Sequence, residues 1–286
     1  MARGFVQQEG FSVRQVCDFL DLSASSYYYQ RKVLDDEQLE ADLKLEAGKY
    51  PTYGTRRLTH QLRRAPYGYP VNRKRIQRLA RKNGLLRPLK VQKTRTTDSQ
   101  HPYPRYENLV KDMIITHPDQ VWASDITYVR LKQHFVYLAI VMDVFTRSVR
   151  GWRLGRSLDQ QLTLGALDMA LDQHTPQIHH SDQGVQYACH AYVNELKARN
   201  VLISMAAIGK AEENGFAERF MRTIKEEEVD LSEYYDFADA NYQIGYFIQD
   251  VYMTKRIHSS LGYLTPAEFE ASYWLSFSLE QVEGTP

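Results

Sequence analysis

The chain has 286 residues, 43% of them hydrophobic and 25% charged, a balance typical of folded globular proteins rather than disordered ones. Its longest apolar run, Phe135 to Met142, is far too short to cross a bilayer, and the amino terminus lacks a signal-peptide core, so we expect a cytoplasmic protein with no membrane partner. Cys17 and Cys189 are isolated from each other and from any paired histidine, which excludes a disulfide framework and a zinc-finger module.

Positive charge is concentrated in one segment, although the net charge is only +1. Residues 51–95 contain 14 Lys or Arg and no Asp or Glu, whereas the rest of the chain carries 22 basic residues against 35 acidic ones. This segregation favours binding to a polyanion, because Lys and Arg that neutralise phosphates supply most nonspecific affinity for nucleic acid. A solvated helical surface is the alternative, and the length of the segment makes it the second choice.

The first hundred residues are predicted to be mainly helical. Two short helices between Ser12 and Arg31, the first with a capping box, match a helix-turn-helix, with a generic helical pair as the alternative. Further helices are predicted at 35–49, with Leu39 and Leu43 facing inward, at 54–64, and from the capping residue Asn72 to residue 84. The polar segment 91–106, with two prolines, is predicted to be a linker.

Beyond the linker the pattern changes to strands. Segments 121–131, 134–142 and 148–154 are rich in β-branched and aromatic residues, and their short connections require antiparallel neighbours. A helix at 158–174, a strand near Ile178, a helix at 186–200, a strand at 201–205 and a helix at 212–229 follow. This alternation predicts an α/β fold with a mixed sheet covered by helices.

Three acidic residues lie at positions that suggest a function for their carboxylates. Asp125 lies within an apolar strand, where an ionised carboxylate costs several kcal/mol unless it is paired; a frayed strand end is the alternative. Asp182 follows a predicted strand, where ligands collect in open sheets, although turn residues and helix caps also occur there. Glu218 shares one helix face with Arg222 and Lys225, cations suited to phosphates; a surface ion pair is the alternative.

Together these acids match the needs of two-metal phosphoryl transfer, in which two divalent cations activate the attacking oxygen and stabilise the leaving one. Carboxylate ligands favour Mg or Mn over Zn, so we expect two Mg or Mn ions per active site. His180, close to Asp182, is expected to be a structural residue rather than a ligand.

Six segments then point to a family. They are Trp122-Ala-Ser-Asp125-Ile-Thr-Tyr, His180-Ser-Asp182-Gln-Gly-Val-Gln-Tyr, Glu213-Asn214-Gly-Phe-Ala-Glu218-Arg-Phe, the tail Tyr252-Met-Thr-Lys-Arg256-Ile-His258-Ser-Ser-Leu-Gly-Tyr-Leu-Thr-Pro266, and the basic pair Tyr53-Gly-Thr-Arg-Arg and Asn72-Arg-Lys-Arg-Ile. With 35 residues between Asp182 and Glu218, the chain resembles the retroviral-integrase-like DDE transposases of bacterial insertion sequences. Glu213 departs from the Asp common there, and Met253 and Ile257 replace an expected Asn and Pro.

The resemblance implies an RNase H-like five-stranded core over 115–275, preceded by a helical DNA-binding region at 1–98 and a linker at 99–114, with a tail at 276–286. It implies nicking at the terminal inverted repeats of the element and joining of the 3′ ends to target DNA by the catalytic, metal-binding residues Asp125, Asp182 and Glu218. The expected DNA contacts are Arg56, Arg57, Arg73, Lys74, Arg75, Arg78, Arg222, Lys225 and Arg256.

The resemblance also implies further partners and leaves rivals open. We expect a dimer or larger assembly on DNA, association with the nucleoid, and, in some members, an upstream-frame DNA-binding protein joined by frameshifting. The rival functions are an RNase H-like nuclease that cuts without joining and a catalytically silent DNA-binding repressor of the element.

Overall fold

The computed structural model describes residues 11–28, 36–86, 103–132, 134–207 and 210–283. The end of the second predicted short helix, the basic residues beyond position 86 and most of the predicted linker lie outside these ranges. The chain divides into two compact units, Met1–Asp42 and Leu43–Pro286. The second unit therefore contains residues 43–86 of the predicted DNA-binding region together with the whole sheet.

Short helices make up the described part of the first unit. Helix α1 (Val13–Phe19) begins at Ser12, whose side chain and that of Gln15 form the predicted capping box. Helix α2 (Ala24–Tyr28) follows after a short turn. Helix α3 (Glu37–Lys49) continues into the second unit, and it begins two residues later than predicted.

Two basic helices follow within the second unit. Helix α4 (Thr55–Arg63) buries Leu58 and Leu62, and helix α5 (Arg73–Lys82) buries Ile76 and Leu79. The side chain of Asn72 caps α5 by accepting a hydrogen bond from the Arg75 N–H at 2.8 Å, as the sequence predicts. Both helices are therefore amphipathic, with apolar residues inside and most of their basic residues on the other side.

The sheet has five strands in the order β3-β2-β1-β4-β5. Strands β1 (Val121–Arg130), β2 (Phe135–Asp143) and β3 (Val149–Gly155) are antiparallel, whereas β4 (Ile178–Ser181) and β5 (Leu202–Met205) run parallel to β1. This confirms the predicted mixed five-stranded sheet.

Two helical layers cover the two faces of this sheet. Because successive residues of a strand point to opposite faces, Ile140 and Met142 lie in one apolar core and Ala139 and Val141 in the other. The second core is closed by helices α6 (Gln160–Leu171), α7 (Val185–Ala188) and α8 (His190–Ala198). The predicted helix at 186–200 is therefore two helices, interrupted at Cys189.

The first core is closed by the carboxy-terminal half of the chain. A 3₁₀ turn (Ala211–Asn214), helix α9 (Gly215–Ile224) and a π-helical turn (Lys225–Val229) together occupy the predicted helix 212–229. Helix α10 (Phe237–Tyr246) and a second π-helical turn (Phe247–Tyr252) complete this layer. A 3₁₀ turn (Ser259–Leu261) leads into helix α11 (Pro266–Glu283), which extends beyond the predicted core boundary at 275.

The carboxy-terminal segment holds α4 and the sheet together. The Tyr53 hydroxyl accepts a hydrogen bond from the Ile257 N–H at 3.0 Å, and Arg64 forms an ion pair with Glu268. On the sheet side, the Arg150 guanidinium donates to Glu270 of α11 at 2.7 Å. The basic helices of the second unit are thus packed on the same body as the sheet. In the part of the chain that the structure describes, no helix is long and apolar enough to span a bilayer.

Candidate active site

Strand register places the two aspartates side by side. Ala123 of β1 pairs with His180 of the parallel strand β4, and Asp125 and Asp182 each lie two residues beyond this pair. A two-residue step returns to the same face of a sheet, so both carboxylates belong to the face that carries Val121 and Ala123. That is the face covered by α9. Sequence spacing alone could place the residues at strand ends, but the register brings them together.

Each aspartate is held by a backbone N–H. Asp125 is half-buried, and its Oδ1 accepts a hydrogen bond from the Ile126 N–H at 2.8 Å. Asp182 Oδ1 accepts one from the Gly184 N–H at 2.9 Å. A Cβ at position 184 would lie 2.9 Å from this same oxygen, so glycine permits the close approach of backbone and carboxylate.

Glu218 lies in the first turn of α9, whose amphipathic pattern packs the helix against the sheet. Ala217, Phe220 and Met221 are buried against the sheet, as the sequence predicts, and Glu218 is half-buried in the first turn. A carboxylate in the first turn is favoured by the helix dipole. The Asn214 amide donates to the Ser124 carbonyl oxygen at 2.9 Å and so ties the start of α9 to the strand that carries Asp125.

The three carboxylates act on one another electrostatically. Burial, followed by the charge of Asp182 and then that of Glu218, raises the pKa of Asp125 to about 8. The hydrogen bond from Ile126 and the positive charge of Lys225 oppose this rise. The predicted residues therefore form one cluster with an excess of negative charge.

The chemistry of this donor set fits a hard divalent cation. Carboxylate oxygens are the preferred ligands of Mg²⁺ and Mn²⁺, and a cation would offset the repulsion that raises the pKa of Asp125. Within the described ranges, no three Asp, Glu, His or Cys side chains are gathered closely enough to hold a metal ion by themselves.

Glu213, the other glutamate of this segment, faces elsewhere. Its Oε2 accepts hydrogen bonds from the Ala207 N–H and the Asn108 amide, both at 2.9 Å. These bonds lower the pKa of Glu213, the opposite of what the site does to Asp125. The contacts of Glu213 thus agree with the choice of Glu218 as the acidic residue of the site.

The neighbouring histidines are structural, as expected for His180. His180 Nδ1 lies 2.8 Å from the Ser204 hydroxyl, and its Nε2 lies 3.2 Å from the Glu213 carbonyl oxygen. Burial, with a further contribution from His180, lowers the pKa of His179 to about 3, and the Ser124 and Tyr192 hydroxyls bond its Nε2 at 2.8 and 2.9 Å. Both rings are therefore neutral parts of the fold.

Sequence reasoning gave no role to Tyr187, which is buried in the second core. Its hydroxyl is buried and has no hydrogen-bond partner among the described residues. Burial raises its pKa well above the usual value, and the charges of Asp125 and Asp182 act in the same direction. The signal was available in the Asp182 motif, which ends at Tyr187.

The expected DNA contacts fall into three groups. Exposed side chains include Arg56 and Arg222 and, on α5, Arg73, Lys74 and Arg78. Half-buried ones are Arg57, Arg75 and Lys225. Arg256 is only 2% exposed.

The placement of Arg256 corrects its expected role as a DNA contact. Its guanidinium is held by Glu227 through two bonds, Nε to Oε2 and Nη2 to Oε1, both 2.7 Å long. Arg57 shares the same carboxylate at 3.4 Å. A buried guanidinium engaged in this way supports the fold, because removing it would leave Glu227 buried without its main partner.

Comparisons with known proteins identify the family of this chain. An integrase core domain family matches residues 115–211, a second family of the same description matches 199–266, and an HTH-like domain family matches 34–93. The chain is 31% identical to the transposase for insertion sequence element IS629 of Shigella sonnei, over 94% of this chain and 95% of that protein. The chain belongs to the insertion-sequence transposases.

This transposase is also similar to a second curated transposase and to a solved integrase structure. It is 31% identical to transposase InsF for insertion sequence IS3A of Escherichia coli strain K12, over 92% of this chain and 95% of that protein. Among solved structures, the HTLV-2 integrase catalytic core domain in complex with magnesium is 16% identical, with a TM-score of 0.42, over 54% of this chain and 97% of that one. The integrase core family and the transposase relatives make this chain a polynucleotidyl transferase that acts on DNA, and an integrase core implies use of a divalent metal.

Proposed function

We propose that this transposase nicks the ends of its insertion sequence and joins the 3′ ends to target DNA at the cluster of Asp125, Asp182 and Glu218. In the first step, water attacks a phosphodiester, the bond from phosphorus to the 3′ oxygen breaks, and that oxygen takes up a proton. In the second, the freed 3′ hydroxyl loses its proton and attacks a target phosphodiester; the bond from phosphorus to the target 3′ oxygen breaks, and that oxygen takes up a proton. The observation that carries the proposal is the strand register that sets Asp125 beside Asp182 on the sheet face covered by α9, the helix that carries Glu218.

The residues of the chain have separate tasks in this scheme. Asp125, Asp182 and Glu218 would hold two Mg²⁺ or Mn²⁺ ions. When bound, the ions activate the attacking oxygen and stabilise the leaving one. The N–H groups of Ile126 and Gly184 keep the aspartate carboxylates oriented, since each donates to an Oδ1 within 2.9 Å.

DNA is held outside this cluster. We assign phosphate contacts to the exposed residues Arg56, Arg73, Lys74, Arg78 and Arg222, with contributions from Arg57, Arg75 and Lys225. Residues 1–98 would bind the terminal inverted repeats and 115–275 would carry out the chemistry, with 99–114 as the linker and 276–286 as a tail. Packing of α4 against the carboxy-terminal segment supports a fixed path from the basic helices to the site.

Joining two element ends to one target requires two active sites in register. We therefore propose a dimer or larger assembly on DNA, acting at the nucleoid where chromosomal DNA lies. An upstream-frame DNA-binding partner stays a prediction from the family resemblance.

Two rival functions make different demands on the site. A silent repressor would bind DNA without needing the three carboxylates, yet they are kept together at an electrostatic cost. A nuclease that cuts without joining would use the same carboxylates, so the site geometry does not separate it from a transposase. Analysis of the reaction products separates the nuclease from the transposase.

The experiment is Mg²⁺-dependent cleavage and joining of labelled element ends by purified variants. Asp125→Asn, Asp182→Asn and Glu218→Gln each keep the size of the side chain but remove its charge. We expect each to abolish both reactions while leaving end binding intact, and any one substitution should cost nearly as much as all three, because the residues act as a unit.

Glu213→Gln is the matched control, since the same change is made on a glutamate that bonds Ala207 and Asn108 instead. It should retain most activity. Robust joining by Glu218→Gln, or its loss in Glu213→Gln alone, would show that the wrong glutamate was chosen. Cleavage without joined product in the parent protein would identify a nuclease, and binding with no cleavage would identify a repressor.

A further inference from the structure

A positively charged cavity lies on the other side of α9 from Glu218. It has a volume of about 570 Å³, and its lining includes four arginines, Arg57, Arg147, Arg219 and Arg256, together with His258 and Ser260. Phe220 and Tyr252, both buried, also line it. At about 100° per residue, the cavity-lining positions 216, 219, 220 and 223 centre roughly 150° around the helix from Glu218.

Negative charge at this cavity falls short of positive charge. Glu227 serves both Arg256, at 2.7 Å, and Arg57, at 3.4 Å. Glu213 also borders the cavity, but its carboxylate is engaged by the Ala207 N–H and the Asn108 amide. Across the described ranges, neither Arg147 nor Arg219 has a carboxylate within ion-pair distance.

Arg147 is held in place without an ion pair to any described residue. It lies in the turn between β2 and β3 with a positive φ of 64°, and its guanidinium stacks over the Phe216 ring at 4.4 Å. The side chain is half-buried, and burial lowers its pKa. Because a guanidinium keeps its proton even when it is partly buried, Arg147 stays positively charged. A bound anion would therefore stabilise this side chain.

Repulsion among the basic groups is visible at His258. Burial and the charges of the four arginines lower the pKa of His258 to about 2. Burial also lowers the pKa of Arg57, and the charge of Arg256 adds to the effect. The ring of His258 is therefore neutral and accepts from the Arg256 guanidinium at 3.2 Å.

We propose that this cavity binds a backbone phosphate of DNA through Arg147 and Arg219. Guanidinium groups match phosphate oxygens in geometry and charge. The proposal rests on the action of the transposase on DNA and adds to the expected contacts two residues that the sequence did not single out. Because α9 separates the cavity from Glu218, the bound phosphate is not the reacting one; it anchors a neighbouring stretch of DNA.

The test measures DNA affinity by fluorescence anisotropy with full-length protein, without divalent metal, over a range of KCl concentrations. The variants are Arg147→Gln, Arg219→Gln and the double variant, each with a labelled element end and with an unrelated duplex. We expect the double variant to bind about tenfold more weakly to both duplexes, as loss of charged hydrogen bonds predicts. The slope of log affinity against log salt should fall in magnitude by about 0.9 for each phosphate that the protein no longer neutralises.

Two controls separate this effect from a general loss of charge or fold. Arg199→Gln removes an exposed arginine at the end of α8, on the opposite face of the sheet, where it pairs with Glu195; it should leave affinity unchanged. Arg147→Lys keeps the charge and should keep most of the salt dependence.

Unchanged affinity and slope in the double variant would overturn the proposal, as would an equal loss in Arg199→Gln. Inorganic phosphate is the second probe. If it raises the melting temperature of the parent protein while the double variant still binds DNA normally, the cavity holds a free anion and the DNA assignment is wrong. If the double variant binds DNA more weakly but the parent protein never joins DNA, the cavity proposal holds and only the proposed function is refuted.

Discussion

The carboxylate cluster and the arginine cavity lie on two sides of α9 and share one electrostatic design. In each, the fold gathers like charges that repel one another, which raises the pKa of Asp125 on one side and lowers the pKa of His258 on the other. The network that docks α11 differs, because Arg150 there meets both Asp119 and Glu270. Balanced charges hold elements together, whereas an excess of one sign calls for a ligand of the opposite sign.

The largest expected effect comes from removing the carboxylate that Arg57 and Arg256 share. Glu227→Gln leaves two half-buried or buried guanidinium groups without this counter-ion, and we expect it to lower the free energy of unfolding by about 3–5 kcal/mol. Urea denaturation measures this decrease.

Glu195→Gln is the matched control for that change, because it breaks an exposed pair with Arg199 and should cost less than about 1 kcal/mol. If the two variants lose equal stability, Glu227 does not offset the positive charge of Arg57 and Arg256. The arginine cavity would then not be a site of strained like charges.

A smaller effect is expected at the carboxylate cluster from Gly184→Ala. The added methyl group would lie 2.9 Å from Asp182 Oδ1, so the carboxylate must turn away from the Gly184 N–H. We expect strand transfer to fall about 10- to 100-fold, since small displacements of catalytic groups have effects of this size. Stability should change little, because the displaced atom is the end of a side chain.

Gly215→Ala controls for the loss of a glycine near the site, since nothing lies within 4 Å of a Cβ built there. Rates are measured in parallel with melting temperatures for both variants. Parental activity in Gly184→Ala would show that the orientation of Asp182 does not depend on this backbone contact.

The smallest effect is a gain in stability. Asp125→Asn removes a carboxylate whose charged form is disfavoured by burial and by Asp182 and Glu218. We expect the variant, in EDTA at neutral pH, to unfold with a free energy about 0.5–2 kcal/mol higher than the parent protein, the range typical when a strained functional site is relieved. Equal or lower stability would mean that the carboxylates do not repel one another enough to shape the site.

Much of the fold follows from local patterns that the sequence displays directly. Asn72 caps its helix because its side chain bonds an N–H three residues ahead, and Ala217, Phe220 and Met221 recur at helical spacing. Errors occur where local pattern is not decisive. The predicted helix at 186–200 breaks at Cys189, whose extended backbone ends one helix and begins the next. The predicted helix at 212–229 starts as a 3₁₀ turn and ends as a π-helical turn.

By itself, the sequence determined which acidic residues to consider, because Asp125 interrupts an apolar strand and Glu218 lies opposite an apolar helix face. Only the tertiary structure decided which charges meet. The pairing of Ala123 with His180 sets Asp125 beside Asp182, and Glu227 reaches Arg57 across 170 positions of the chain. Sequence periodicity shows on which side of its helix or strand a residue lies. Whether its charge is paired depends on the other elements that pack against that side. That is why Arg256 looked like a DNA contact in the sequence and is a buried ion-pair partner in the fold.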